Sequence, residues 1–187
     1  MIRTFDERPL AEDDVERILA NALRGPSAGF AQGWAFLVLR EQADRELFWT
    51  AATTGPVPGV RAAPLIVVAM SHPDAYLDRY AEADKPWADR DEARWPVPYW
   101  HIDTGMAVLL MLLTAVDAGL DACLVGIARE LIAPWRDAFG VPATYTPVGA
   151  VAVGYRGTDT PAQPSDWAGR RRTATSVIHH GRWSAAG

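Results

Sequence analysis

The stretch from Ile102 to Val116 constrains this chain more than any other. Written as a helix it is apolar on nearly every face, through Met106, Ala107, Val108, Leu109, Leu110, Met111, Leu112 and Leu113, with Gly119 placed to end it. A helix of that kind has no face to give to water, so it belongs in a core or at a subunit interface. Its uninterrupted apolar run, Met106 to Leu113, is far short of the roughly 20 residues that span a bilayer. The N-terminus, Met1 to Arg8, carries no apolar core of a signal peptide. The reading is a soluble domain built around one buried helix, with no membrane partner.

The 187 residues, 49% apolar and 22% charged, suit a folded domain with a sizeable core, read as one unit over 1–187. A net charge of −5 and a pI near 5.3 argue against a broad basic face and against nucleic acid as partner. Cys123 is the only cysteine, which excludes an intramolecular disulfide and a thiolate metal cluster and fits a reducing cytoplasm.

Around the buried helix the pattern alternates. Val15, Ile18, Leu19, Ala22 and Leu23 recur at helical spacing and stop at Gly25-Pro26. Trp34 to Leu39 and Pro64 to Met70 are short continuous apolar runs, read as buried strands. Leu47-Phe48-Trp49 suggests a short helix between them, and Pro56, Pro58 and Gly59 break the chain. Residues 72–100 are crowded with Tyr76, Tyr80, Trp87, Trp95, Tyr99 and Trp100 and read as a long excursion over a site, with room for a helical turn. Ala122 to Gly126 is a short strand or turn, Ala128 to Phe139 a helix despite Pro134, and Pro147 to Gly154 the last strand. The order predicts an α+β fold, a central mixed sheet flanked by helices.

Few chemistries survive inspection. His179-His180 are adjacent and so point apart, giving no ready metal chelate, and no metal site is read. There is no Gly-x-Ser-x-Gly elbow, no phosphate-binding Gly-x-x-x-x-Gly-Lys loop and no Gly-x-Gly-x-x-Gly turn. Asp103 is read as a helix cap in preference to a buried acid. Two features remain. Pro26-Ser27-Ala28-Gly29-Phe30-Ala31-Gln32-Gly33-Trp34 puts small residues and an amide between a helix and a strand, which suits equally a backbone approaching a flat ligand and a purely structural loop. Arg170-Arg171-Arg172 suits a phosphate group in an otherwise acidic chain, although a solvated cluster is the usual explanation for a charge run.

In order, these pieces resemble the FMN-dependent nitroreductase family: Arg3-Thr4-Phe5, the Pro26–Trp34 loop, Asp103 opening the apolar helix, Gly119-Leu120, Val125-Gly126-Ile127, the strand Val148 to Tyr155, and arginines shortly before Val177. The resemblance implies a nitroreductase-like fold, dimeric with a long buried interface helix. It implies a homodimer with FMN at the interface, reduced by NADH or NADPH and reoxidised by a nitroaromatic, quinone or similar small planar acceptor in a ping-pong cycle.

Residue by residue, the resemblance places Arg3 by the pyrimidine edge of the flavin. Pro26, Ser27, Ala28, Gly29 and Gln32 fall on the flavin and ribityl chain, partly from the partner subunit. Val125-Gly126 present a backbone N–H at flavin N5, and Arg170 and Arg172 hold the phosphate. Phe30, Tyr80, Trp95, Tyr99 and Trp100 would face the acceptor. No protein acid or base is expected to be indispensable, because the flavin carries the chemistry.

The chain departs from the family pattern in three places. Phe30 stands where the family usually has Asn, Gly33 stands where it has Pro, and the Arg-x-Ser that precedes Arg3 in the family has no counterpart. The Ser-x-Gly-Phe-x-Gln pattern is also similar to the branch that fragments FMN to 5,6-dimethylbenzimidazole. That branch tends to carry a serine near the position of Gly126, and none stands there. Other readings are flavin or deazaflavin storage without turnover, and a fold that has lost its cofactor and serves as an interaction partner.

Overall fold

The computed structural model describes residues 2–55, 57–158 and 169–183. Four strands, β1 (Trp34–Leu39), β2 (Leu65–Ser71), β3 (Asp121–Val125) and β4 (Thr146–Gly154), form one sheet in the order β1-β2-β4-β3. Among the described residues seven α-helices accompany them: α1 (Glu12–Ala22), α2 (Gln42–Ala52), α3 (Pro58–Arg61), α4 (Pro73–Tyr80), α5 (Tyr99–Asp117), α6 (Ile132–Phe139) and α7 (Ala174–Val177).

Both faces of the sheet are covered. On one, Leu65, Val67, Ala69, Val151 and Val153 pack with Val15 and Ile18 of α1 and Val108, Met111 and Ala115 of α5. On the other, Ile66, Val68, Ala150, Ala152 and Cys123 pack with Phe48 and Trp49 of α2, Val60 of α3 and Trp135 of α6. The alternation of neighbouring residues between two cores explains why β2 reads as a continuous apolar run, all seven of its residues being buried.

The α+β class with helices about a central sheet holds, and the sheet corrects the expected mixture of strand directions. Every described pair is antiparallel: β1 with β2, β2 with β4, and β3 with β4. The crossover through α5 does leave β2 and β3 running the same way, but β4 inserts between them, so no parallel pair touches.

α1 begins with Glu12, Asp13 and Asp14, three acids against the positive end of its dipole. It lies along α5, with Asn21 Nδ2 donating to Thr114 Oγ1 at 3.0 Å. Near its end a Cβ added at Gly25 would stand 3.4 Å from Ala107.

α5 is longer than its apolar pattern, starting at Tyr99. At 19 residues it is long and apolar enough to cross a bilayer. Here one of its faces lies on the sheet instead. Asp103, Thr104, Ala107, Val108, Met111, Thr114 and Ala115 are buried. The opposite face is not: Ile102, Leu109, Leu113 and Val116 are exposed and Met106 is half-buried, at spacings of four, three, four and three residues. Those are the spacings of a coiled-coil seam.

The segment expected to be an irregular excursion contains α4, with Pro73 in its first turn, where its missing N–H costs nothing. α3 likewise stands where prolines suggested only a break. After α4 the chain is held by ion pairs. Arg90 reaches back to Asp74 at 2.9 Å and Asp78 at 2.7 Å, Arg79 pairs with Asp84 at 2.8 Å, and Arg94 pairs with Asp89. In α6, Pro134 sits in the first turn, and Gly140 ends the helix at φ +64°.

Candidate functional site at one end of the sheet

β1 begins at Trp34, opposite Ser71 at the end of β2, which lies opposite Thr146 at the start of β4. β3 ends at this same end of the sheet, Val125 facing Ala150. Three features of the sequence reading therefore share one end: the loop before β1, the start of α5, and Val125-Gly126.

The loop is conformationally unusual. Gly29, Phe30 and Gln32 all have positive φ, +61°, +59° and +51°. Glycine adopts that region freely, but a bulky residue such as phenylalanine rarely does. Phe30 also leaves its ring 79% exposed. A strained backbone presenting an apolar ring to solvent is a common mark of a working surface.

The strain is held by a closed set of hydrogen bonds. Within the loop, the Phe30 N–H donates to the Ser27 carbonyl at 2.9 Å and the Ala31 N–H to the Ala28 carbonyl at 3.1 Å. The Gln32 N–H donates to Ser27 Oγ at 2.8 Å, so this serine is a turn-former as well as a candidate ligand. From outside, Arg79 Nε donates to the Gly29 carbonyl at 2.9 Å, and the His72 N–H to the Gly33 carbonyl at 2.8 Å. The Gln32 side-chain amide is exposed and has no partner among the described residues.

Asp103 is 1% exposed and is the fifth residue of α5, too far in to cap that helix. Its Oδ2 accepts the Ala28 N–H at 2.7 Å and the Tyr76 hydroxyl at 2.8 Å. The carboxylate thus caps the short 3₁₀ turn Ala28–Phe30, which corrects the expectation that it caps its own helix. Burial pushes the Tyr76 phenol well above its usual range, so it stays a donor. Tyr76 also accounts for Gly33, because a Cβ there would lie 2.5 Å from the Tyr76 ring and 2.7 Å from the His72 carbonyl oxygen. Gly29 is equally closed in, its notional Cβ 2.6 Å from the Tyr80 ring.

A second polar cluster escaped the sequence reading. Ser71 is fully buried, its Oγ 2.8 Å from His101 Nδ1 and 3.3 Å from the Thr146 carbonyl. Burial lowers the His101 pKa below its usual value, keeping the imidazole neutral. His72 stacks on Tyr145, ring centroids 4.6 Å apart. The only sequence signal was that Ser71-His72 follow a strand end. Among the described residues no group of His, Cys, Asp or Glu is arranged to hold a metal.

The aromatic residues expected to face an acceptor mostly face one another. Trp95 is the hub, with ring centroids 4.6 Å from Tyr80, 5.7 Å from Tyr99 and 6.1 Å from Trp100. Trp100 is 6% exposed, against Tyr76 and Trp95, so its ring belongs to this packing and not to an open binding face. Phe30 is the one fully exposed ring of the five; Tyr80, Trp95 and Tyr99 are half-buried.

Arg3 is exposed, its backbone against α3, where a Cβ on Gly59 would meet the Arg3 carbonyl at 2.5 Å. Its charge is felt at Cys123 on β3, where burial raises the thiol pKa and Arg3 opposes the rise. Gly126 is exposed just past the end of β3, with no atom within 4 Å of an added Cβ. Pro26 is exposed at the head of the loop. Arg170 and Arg172 are exposed on the segment 169–183, where Arg172 Nη2 donates to the Ser176 carbonyl at 2.8 Å.

These residues fit a flat, anionic ligand. Gly126 leaves open space beside its backbone, Arg3 is an exposed cation and the Gln32 amide is uncommitted, features a flat ligand with anionic groups can use. They do not meet within one chain. The loop leads into β1 and Gly126 follows β3, three strand spacings or roughly 14 Å across the sheet.

A family model described as the nitroreductase family matches residues 1–155. A protein of Archaeoglobus fulgidus named "Putative NADH dehydrogenase/NAD(P)H nitroreductase" is 27% identical over 156 residues, covering 82% of this chain and 79% of that protein. Among solved structures, an FMN-dependent nitroreductase of Clostridium difficile is similar over 97% of this chain and 94% of its own, with a TM-score of 0.69 and 18% identity. The NfrA1 nitroreductase of B. subtilis is similar over 99% of this chain and 72% of its own, with a TM-score of 0.77 and 17% identity. At those identities the structural likeness speaks for the fold.

Proposed function

Because the chain belongs to the nitroreductase family, a family of oxidoreductases, we propose that it is an FMN-dependent enzyme of the reducing cytoplasm. It takes electrons from NADH or NADPH and passes them to a nitroaromatic, quinone or similar planar acceptor in a ping-pong cycle. The observation that carries this reading is the strained, fully braced loop at Ser27–Gln32, at the same sheet end as the open backbone of Gly126.

Bound FMN would supply the hydride chemistry. The residues of the chain supply the rest. Ser27, Ala28, Gly29 and Gln32, with Pro26 before them, shape a rigid edge for the ring system. Arg3 sets a positive charge where reduction builds a negative one. The backbone at Val125-Gly126 offers an amide beside an open space. Arg170 and Arg172 hold the phosphate, and Phe30, Tyr80, Trp95 and Tyr99 border the acceptor. The separation of the loop from Gly126 in one chain supports a homodimer, in which the loop of one copy completes the β3 side of the other. The exposed seam of α5 is the surface for it. The domain so formed takes in residues 1–187.

The test is an absorption spectrum of the purified protein with FMN, followed by anaerobic NADPH or NADH. A band near 450 nm that bleaches, and returns on adding a quinone, is the expected result. Absence of binding would overturn the reading. A band that no nicotinamide bleaches would favour storage of a flavin or deazaflavin. Replacing Arg170 and Arg172 together by alanine should weaken FMN binding at least tenfold; unchanged affinity would remove them from the phosphate site.

A further inference from the structure

We propose that Asp103 is a positioning residue for the cofactor loop, fixing through the Ala28 amide and the Tyr76 hydroxyl the distance between that loop and α5. The inference rests on the flavin reading above and extends it to residues outside the ligand's reach. A buried carboxylate is costly, and an apolar residue would pack this face of α5 more cheaply. No basic side chain pairs with Asp103 among the described residues. Its two hydrogen bonds, 2.7 Å to Ala28 and 2.8 Å to Tyr76, both lead to the loop: one to its first turn, the other to the ring lodged against Gly33.

The loop has three anchors from outside. Arg79 holds the Gly29 carbonyl and His72 meets the Gly33 carbonyl, and both stand at or next to α4. Asp103 alone comes from α5, the helix whose opposite face bears the apolar seam beginning at Ile102. One rigid element thus carries both the surface proposed for the second copy and the group that sets the loop. Removing the carboxylate leaves the loop tied to α4 only, free to shift against α5.

The experiment compares Asp103→Ala, Asp103→Asn and Tyr76→Phe with the wild type, by FMN titration and by hydrogen exchange of the segment 27–33. Asp103→Ala should raise the FMN Kd at least tenfold and accelerate exchange at Ala28–Gln32 at least tenfold, with the core of α5 around Met111 still protected. Asp103→Asn keeps an acceptor for the Ala28 amide and should recover most of the affinity. Tyr76→Phe, which disturbs packing least, should raise Kd three- to tenfold with Tm within a few degrees, and it serves alone if the alanine variant does not fold. Wild-type binding with unchanged Kd and exchange in Tyr76→Phe or in a folded Asp103→Ala overturns the positioning role alone. Equal loosening of α5 and the loop, or no rescue by asparagine, overturns it as well. A wild-type protein that takes up no FMN overturns the functional reading and this role together.

Discussion

At the scale of single residues, the site is governed by groups that fill or refuse small volumes. Gly33 is where the loop, α4 and the His72 backbone converge, and a methyl group there has no room. Gly33→Ala should therefore destabilise the protein by about 1–3 kcal/mol, read as a lower urea midpoint with an unchanged m-value. His101 gives a prediction of different kind. Its folded pKa is lowered by burial from the ordinary 6.5, so the unfolded chain binds the proton more readily. Stability from this group is full above pH 6.5 and is lost as the pH falls through the lowered value. Urea midpoints of wild type and His101→Gln should run parallel from pH 8 to 6.5 and converge or cross below it. Parallel curves down to pH 5 would show that the imidazole is not the responsible group.

At the scale of elements, α5 decides most. Ile102, Leu109, Leu113 and Val116 lie outward at coiled-coil spacing while the opposite face is locked on the sheet. Leu109→Glu together with Leu113→Glu should leave the far-ultraviolet spectrum intact and convert a dimer to a monomer in sedimentation. A wild-type monomer at micromolar concentration would remove the seam from the account. The strands and α5 were legible because burial on both sides writes an apolar run into the sequence. α4 was not, because the aromatic crowding of residues 72–100 reads as an excursion and hides the helix whose first turn holds Pro73. The direction of the strands was hidden too: whether β2 and β3 touch depends on where β4 inserts, and no local pattern encodes that. In the loop, the small residues marked the place, but left-handed backbone at Phe30 and Gln32 runs against their own preferences. Asp103 was visible as an acid, while its partner at Ala28 lies 75 residues away.

At the scale of the whole molecule, two cores share one sheet, and the charged groups are concentrated outside both. The stretch between α4 and α5 is tied down by exposed pairs of Arg79, Arg90 and Arg94 with Asp84, Asp74, Asp78 and Asp89. Hydrogen bonds from Arg94 hold the Asp89 carboxyl down to about 2, so that pair outlasts moderate acid. Salt screens such surface pairs, while the cores do not depend on them. Adding 1 M NaCl should shift the Tm by no more than about 2 °C yet speed proteolytic nicking between residues 81 and 96. A large loss of Tm would mean that the segment carries global stability.

The interlock of Gly33 with Tyr76 bears on the history of the chain. Two positions that occupy one volume cannot drift separately: a chain with a bulkier residue at 33 needs something smaller, or a displaced α4, at 76. With the tyrosine ring against Gly33 and its hydroxyl on Asp103, a larger residue at 33 has no room unless 76 changes with it. Among relatives, residues at 33, 76 and 103 should therefore be inherited as a set, and a sequence combining proline at the first with tyrosine at the second should be missing from the lineage.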